Sequence, residues 1–245
     1  MIVKKDEKRM NQFIEIIHEK CQHDYEMKLI ETERDIDFRH FKCKKCGYNF
    51  VKKIMKNNIT YPELEYFKRY VEKPFVKTMD NEEIRKETIN IIKKFKSGDK
   101  HSRGIILYGK RGTGKTHLAV KIMMLFKKQF RKSIYAFNFS KFVYDRIKEI
   151  NQTVEQSTYE IENQANNSDI LLIDEVGKGK VSDWVDGLLY SFVENVYSNE
   201  NKFLIITTNL SPDELEIKFD DAIVSRLYEI CDFISFNHLN DMRKM

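Results

Sequence analysis

The sequence of 245 residues is poor in the residue types that mark linkers, fibres and secreted scaffolds. It contains 3 prolines, 9 glycines, 4 cysteines and 1 tryptophan. So little proline and glycine excludes a collagen-like repeat and a long flexible linker. No apolar run approaches the roughly 18 residues of a membrane-spanning helix, and the charged N-terminus lacks the apolar segment of a secretion signal. These absences predict a cytoplasmic protein without a membrane partner.

Charged residues, in contrast, are abundant and unevenly distributed. They make up 33% of the chain beside 41% hydrophobic residues, which is typical of a globular protein with a sizeable core. Residues 1–100 contain 24 of the 43 basic residues but 18 of the 38 acidic ones, so the basic excess lies there. Within residues 42–56 there are six lysines and no acidic residue. Such a run indicates either a solvated surface or an electropositive surface for nucleic acid or an acidic partner.

After residue 103, short apolar runs alternate with helical patterns. The runs are Gly104–Tyr108, Ser133–Phe139, Asp169–Ile173, Phe203–Thr207 and Ile230–Phe236. This alternation is typical of a parallel sheet covered by helices on both faces. Earlier in the chain, the patterns predict helices near residues 8–20, 61–71 and 80–95, the last with Asp80 as its N-cap.

A phosphate-binding loop follows the first of these strands. Residues 109–116 fit the pattern G-x-x-x-x-G-K-[ST] at every fixed position. The glycines let backbone N–H groups converge on phosphate oxygens at a helix N-terminus. We expect Lys115 to contact the β- and γ-phosphates of a nucleotide and Thr116 to bind Mg²⁺. The residues predicted to contact nucleotide in this segment are Gly109, Lys110, Arg111, Gly112, Thr113, Gly114, Lys115, Thr116 and His117.

Polar residues also follow later elements of the predicted sheet. One apolar strand ends in Asp174 and Glu175, at the edge of the sheet where ligands bind. Asp174 is predicted to hold Mg²⁺ and Glu175 to activate the attacking water as a general base. Asn209, which on its own would be a turn residue, is predicted to sense the γ-phosphate. Arg226 is either a surface charge or a finger that reaches the γ-phosphate of a neighbouring subunit.

A cysteine cluster lies in the basic first part of the chain. Cys-x-x-Cys-Gly forms a tight turn with both thiolates inward, and a Cys-x-His pair precedes it in the sequence. Three sulfurs and one imidazole make a closed tetrahedral zinc site of structural type. The predicted zinc ligands are Cys21, His23, Cys43 and Cys46. His18 and His40 are alternatives to the histidine, and free thiols in a small core are the alternative to metal. Cys231 is expected to be a small buried residue.

Four segments together resemble the AAA+ ATPases of the DnaC/DnaI/IstB group, which are replicative helicase loaders and related transposition ATPases. The segments are LYGKRGTGKTHLA, DILLIDEVG, FLIITTNLSPDEL and IVSRLYEIC, and the resemblance covers about residues 103–245. It implies an α/β P-loop NTPase fold, with a five-stranded parallel sheet of strand order 5-1-4-3-2 flanked by helices. It also implies phosphate and metal contacts for Lys115 and Thr116, and the metal and water-activating acids at Asp174 and Glu175. Asn209 would be the first sensor and Arg226 the finger.

The chain departs from the pattern of this group at two places. Ala222 stands where the group often has a basic residue, four positions before the finger. With Met245 as the last residue, a separate helical lid is not expected. Arg243 is then either a second nucleotide sensor or a surface charge in the tail of the chain.

The resemblance and the cysteines together predict three parts: a zinc-binding domain at residues 1–75 that contacts the helicase, a linker helix at 76–102 and an AAA+ ATPase at 103–245. A small zinc domain before the ATPase resembles the DnaI-type loaders and their phage relatives. The implied function is ATP-dependent loading of a hexameric replicative helicase, with Mg²⁺ and ATP, single-stranded DNA and self-association through shared ATP sites. The alternatives are a transposition ATPase that acts with a transposase, and a DNA-binding zinc module with a degenerate ATPase.

Aromatic residues interleaved with basic ones are candidates for contact with single-stranded DNA, because every base can stack on an aromatic ring. Residues 137–142 and 45–50 have this composition. The alternative is that these aromatic residues belong to the core and that only their basic neighbours are solvated.

Overall fold

The structure, a computed structural model, describes residues 25–33, 36–47, 49–55, 61–75, 81–151, 157–179 and 182–241. The chain divides into two compact units, residues 1–60 and 61–245. No helix in the described ranges combines the length and the apolar character needed to cross a bilayer.

The first unit contains an antiparallel sheet in which three strands are paired in chain order. The strands are β1 (Tyr25–Glu33), β2 (Ile36–Cys43) and β3 (Asn49–Met55). Because β2 ends at Cys43, the turn that leads toward β3 carries the rest of the Cys-x-x-Cys-Gly motif. The helix predicted near residues 8–20 lies outside the described residues.

The second unit begins earlier than the predicted ATPase domain. It opens with a 3-10 helix (Pro62–Phe67), α1 (Lys68–Glu72) and α2 (Glu82–Lys96). Leu64 and Phe67 from the 3-10 helix, and Ile91 from α2, are buried in the same apolar cluster as the sheet. The predicted boundary at residue 75 therefore differs from the structure, since residues 61–75 pack into the second unit. A helix is present within the predicted linker helix at 76–102, as α2, and it packs into the second unit as well. The N-cap of α2 is Asn81, not Asp80.

The second unit is built on a parallel sheet of five described strands. They are β4 (Gly104–Tyr108), β5 (Ile134–Asn138), β6 (Ile170–Val176), β7 (Phe203–Thr208) and β8 (Cys231–Ser235). Their spatial order is β5-β6-β7-β4-β8. Numbered within this sheet, the strands have the order 5-1-4-3-2, as the resemblance implied. The helices between them are α3 (Lys115–Phe130), α4 (Phe139–Asn151), α5 (Ser157–Asn167), α6 (Asp183–Tyr197), α7 (Pro212–Lys218) and α8 (Asp221–Ile230).

Each strand places alternate side chains on opposite faces of this sheet. Ile105 and Leu107 of β4 pack on one side, against α2 and α3. Ile106 packs on the other, against apolar residues of α6 and α8. Cys231 is buried at 6% exposure, as predicted, and its burial raises the pKa of the thiol. Both faces are covered, so the functional groups converge at the carboxyl edge of the sheet.

Candidate functional site

The phosphate-binding loop connects β4 to α3 at the carboxyl edge of the sheet. Gly114 is the N-cap of α3, with φ of 97°, and Gly112 has φ of 80°. Both values lie in the left-handed region that glycine adopts without steric cost. A Cβ at Gly112 would lie 2.0 Å from Asp241 Oδ1, so the Asp241 side chain would have to move if another residue stood there. The loop therefore directs backbone N–H groups and the N-terminus of α3 into the site.

Lys115, at the start of α3, is 8% exposed and has its ammonium inside the loop. Nζ donates to the carbonyl oxygens of Gly109 at 2.6 Å and Lys110 at 2.7 Å. It also donates to Asn209 Oδ1 at 3.1 Å, across from the end of β7. The structure thus brings the predicted phosphate-binding lysine and the predicted sensor asparagine into direct contact.

Asp174, near the carboxyl end of the strand β6, is 4% exposed. Its Oδ1 accepts hydrogen bonds from Thr116 Oγ1 at 2.8 Å and Thr207 Oγ1 at 2.6 Å. Burial raises the pKa of Asp174, and the two hydroxyl donors oppose that rise. A carboxylate oxygen beside a hydroxyl oxygen suits Mg²⁺, which binds one or two such ligands together with phosphate oxygens and waters. Asp174 and Thr116 are the residues that would hold the ion.

Glu175 has an unusual backbone and two side-chain partners. Its φ is 57°, a left-handed value that costs free energy in a residue other than glycine. Oε2 accepts from Lys178 Nζ at 2.9 Å and from Asn138 Nδ2 at 3.1 Å. Burial alone would raise the pKa of Glu175, but the hydrogen bonds from Lys178 and Asn138 outweigh burial and lower the pKa. The carboxylate is therefore charged and oriented at the edge of the cavity.

These groups line a cavity of about 380 Å³, within the range of roughly 300–1,000 Å³ for small-molecule sites. The cavity is lined by Tyr70, Lys73, Arg111, Gly112, Gly114, Lys115, Thr116, His117, Glu175, Lys178, Thr207, Thr208 and Asn209. Sequence reasoning missed five of these. Lys178 lies three residues after the predicted Glu175, and Thr207 and Thr208 precede the predicted Asn209. Their closeness in the sequence to predicted site residues is the signal that could have identified them. Tyr70 and Lys73 lie in the segment that the predicted domain boundary assigned elsewhere.

The segment at residues 61–75 contacts the site through His117. The imidazole Nε2 donates to the Lys73 carbonyl oxygen at 3.2 Å. The ring lies 5.6 Å from the ring of Tyr70 and 5.2 Å from that of Phe75, measured between centroids. Burial lowers the pKa of His117, so the neutral imidazole is favoured. His117 thus joins α3 to an aromatic wall of the cavity.

Arg226 lies on α8 and is not among the residues lining this cavity. Its Nε donates to Glu194 Oε2 at 2.5 Å and its Nη2 to Tyr190 Oη at 3.0 Å, both on α6. Nη1 donates to the carbonyl of Ala222 in its own helix at 2.8 Å. The guanidinium is thereby held away from the phosphate loop of its own chain. Arg243 lies outside the described residues.

The described part of the cysteine motif forms a tight turn. Cys43 Sγ accepts from the backbone N–H groups of Lys45 at 3.4 Å and Cys46 at 3.3 Å. Gly47 closes the turn with φ of 72° and an N–H bond to the Cys43 carbonyl at 3.1 Å. The predicted ligands Cys21 and His23, and the alternative His18, lie outside the described residues. Within the described ranges, no three histidine, cysteine or acidic residues lie close enough together to hold a metal.

The aromatic residues near Lys141 belong to the core. Phe137 is 5% exposed, Phe139 3% and Phe142 1%. Their rings pack on one another and on Phe192 of α6. Of the two interpretations of residues 137–142, the structure therefore supports the core.

Comparisons with known proteins agree with this architecture. The structure of the DnaC helicase loader superposes with a TM-score of 0.55 at 22% identity, covering 69% of this chain and 98% of that one. The DnaI structure gives 0.52 at 18% identity, covering 69% and 93%. The replication initiator DnaA bound to AMPPCP and single-stranded DNA gives 0.51 at 22% identity. That match covers 65% of this chain and 48% of the DnaA chain, so the likeness spans about half of DnaA. At these identities the likeness establishes the fold.

Sequence comparison identifies the family to which this chain belongs. No protein of curated function matches the chain. The family model for the bacterial DnaA ATPase domain, however, matches residues 66–230, which include the phosphate loop, both acids, the predicted sensor asparagine and the predicted finger arginine. With two thirds of its length matched, and with the fold that the structural comparisons share, the chain belongs to the family of the bacterial DnaA ATPase domain.

Proposed function

We propose that this protein is an ATP-dependent loader of a replicative DNA helicase. The observation that carries the ATPase part is the convergence of Lys115, Thr116, Glu175 and Asn209 on one cavity, with Asp174 hydrogen-bonded to Thr116 directly behind it. In this proposal the loop and Lys115 bind the phosphates, and Thr116 and Asp174 hold Mg²⁺. Glu175 accepts a proton from the attacking water. Tyr70 and Lys73, from segment 61–75, line another part of the same cavity.

The replication part rests on likeness to the DnaC and DnaI loaders. The structural match covers 98% of the DnaC chain and 93% of the DnaI chain. We propose that Arg226 reaches the site of a neighbouring subunit, because its own subunit holds it on α6. The protein would then self-associate through shared ATP sites. The helicase partner and the loading reaction belong to this proposal.

Exposed aromatic residues on α4 and α5 support a contact with single-stranded DNA. Tyr144 is 57% exposed and Tyr159 68%. Lys148 Nζ lies 4.6 Å from the centre of the Tyr144 ring, which places a cation beside an aromatic surface. Aromatic rings that stack on bases, with cations that contact phosphates, are the usual elements of such sites.

The loader proposal is tested by two binding measurements with the full chain. We expect an oligo-dT strand to bind with ATP present, and to bind less tightly as salt rises, because phosphate contacts release counterions. The pair Tyr144→Ala and Tyr159→Ala should weaken DNA binding by about tenfold or more, since each stacked base contributes roughly 1–3 kcal/mol. Tyr66→Ala is the matched control, because Tyr66 is 58% exposed and lies on the 3-10 helix, outside α4 and α5. The hexameric helicase of the host should co-purify with the chain. Recovery of a transposase in its place would support the transposition alternative and contradict the loader proposal.

We also propose that the first unit holds one structural zinc ion. The turn geometry supports this, because two backbone N–H groups point at Cys43 Sγ and so favour the thiolate that zinc requires. Cys46 follows in the same turn, and the remaining ligands would come from Cys21 and a histidine. In a chain with many charges and a short first unit, a metal would supply folding free energy.

Metal analysis of the purified full chain under reducing conditions should find about one equivalent of zinc. Cys46→Ser should abolish most of it, because a hydroxyl is a poor zinc ligand. Cys231→Ala should retain it, since Cys231 lies in β8 of the second unit. A wild-type chain free of zinc, or a Cys46→Ser chain with full zinc, would exclude the site.

A further inference from the structure

The segment after β6 is a lysine between two glycines in the left-handed region. Gly177 has φ of 82° and Gly179 φ of 98°. With Glu175 at φ of 57°, three of the five residues from 175 to 179 have backbone conformations that side chains other than glycine rarely adopt. Glycines on both sides give Lys178 backbone freedom that its neighbours in β6 lack.

Lys178 is part of the nucleotide cavity through its side chain. It lines the same cavity as Lys115 and Asn209. Its Nζ lies 2.9 Å from Glu175 Oε2, and the side chains of Lys178 and Glu175 are 51% and 40% exposed. An ion pair this exposed contributes little to stability, because water screens the two charges. A more highly charged anion in the cavity would therefore compete with Glu175 for the ammonium.

The ion pair is not needed to hold the segment in place. Lys218 Nζ, from α7, donates to the Gly177 carbonyl oxygen at 2.7 Å. Ser140 Oγ donates to the Glu175 carbonyl oxygen at 3.2 Å, and the Glu175 N–H donates to Thr207 Oγ1 at 3.0 Å. The backbone at Glu175 and Gly177 is thus fixed by bonds from α4, β7 and α7. Lys178 is left to act through its charge.

We propose that Lys178 binds the terminal phosphate of ATP, exchanging its ion pair with Glu175 for one with the γ-phosphate. This inference rests on the proposed ATP-binding function. It assigns to Lys178 the distinction between nucleoside triphosphate and diphosphate, because only the triphosphate presents a γ-phosphate beside Glu175. Lys115 remains the ligand of the phosphates nearer the loop. Charge-assisted hydrogen bonds from an ammonium to phosphate are among the stronger interactions of this kind.

The test compares affinities for AMPPCP and ADP, both with Mg²⁺, for the full chain and its variants. Lys178→Met should weaken AMPPCP binding by about tenfold, equivalent to about 1.4 kcal/mol, and change ADP binding by less than about twofold. Lys178→Arg keeps the charge and should restore most of the AMPPCP affinity. Lys100→Met is the matched control, because Lys100 forms an exposed ion pair with Glu200 at 2.6 Å and is not among the residues lining the cavity.

The outcomes separate this inference from the proposed function. If the wild-type chain binds neither nucleotide, ATP binding itself is wrong. If the wild type binds AMPPCP and Lys178→Met binds it equally well but hydrolyses ATP more slowly, Lys178 only orients Glu175, and the inference is overturned. Equal losses for AMPPCP and ADP would also overturn it, since they would indicate damage to the whole loop. A loss confined to AMPPCP and reversed by Lys178→Arg would support it.

Discussion

Lys115→Ala should lower the affinity for ATP by about 100-fold or more, because a buried charge that pairs with phosphate commonly contributes 2–5 kcal/mol. The side chain is 8% exposed, and its ammonium is directed into the loop by two carbonyl oxygens and Asn209. Alanine keeps the backbone N–H group of this residue but removes the ammonium that is predicted to bind the phosphates. Titration calorimetry with ATP and Mg²⁺ measures the effect.

Lys128→Ala is the matched control for this prediction, because Lys128 lies in the last turn of the same helix, α3. Its affinity for ATP should equal that of the wild type. Thermal unfolding of both variants should show that the second unit remains folded. An unchanged ATP affinity for Lys115→Ala would mean that the cavity is not a nucleotide site.

Glu175→Gln should slow hydrolysis by about 1,000-fold while ATP remains bound, since loss of a general base usually costs 10²–10⁴-fold. The amide keeps the size of the side chain but cannot accept the proton of the attacking water. Single-turnover hydrolysis and a separate binding titration distinguish the two effects. Glu200→Gln, at an exposed ion pair with Lys100, is the control and should hydrolyse ATP at the wild-type rate.

The same measurement tests whether the site is shared between subunits. Arg226→Ala alone should also hydrolyse slowly, because the finger would be missing from every interface. Mixing Arg226→Ala with Glu175→Gln should restore part of the activity, since one mixed interface contains both an intact Glu175 and an intact Arg226. Absence of recovery at every mixing ratio would indicate that Arg226 acts within its own subunit or not at all.

Several site residues were predictable because their signal is local. The spacing from Gly109 to Thr116 specifies a loop between a strand and a helix, and the structure has that loop between β4 and α3. Asp174 was predictable because an apolar strand that ends in a carboxylate places that carboxylate at the sheet edge. The fold class followed from the alternation of apolar runs and helical patterns, and the strand order from the resemblance.

Other features depend on contacts that no local pattern encodes. Asn138 is separated from Glu175 by 37 residues and reaches it because β5 pairs with β6 in register. Segment 61–75 was assigned to the first unit because it lies near the cysteines in the sequence. It belongs to the second unit because Leu64 and Phe67 are buried there and His117 contacts Lys73. Arg226 could be identified by motif, but its contacts with α6 could not.

The sequence by itself therefore determined the phosphate loop, the acids at the end of β6 and the α/β class, since each depends on residues adjacent in the chain. The tertiary structure decided which groups surround these residues. It placed Asn138 and Lys178 on Glu175, Asn209 on Lys115 and Glu194 on Arg226. The physical reason is that backbone conformation responds to neighbouring residues, whereas the partners of a side chain depend on strand order and on which helices pack against the sheet.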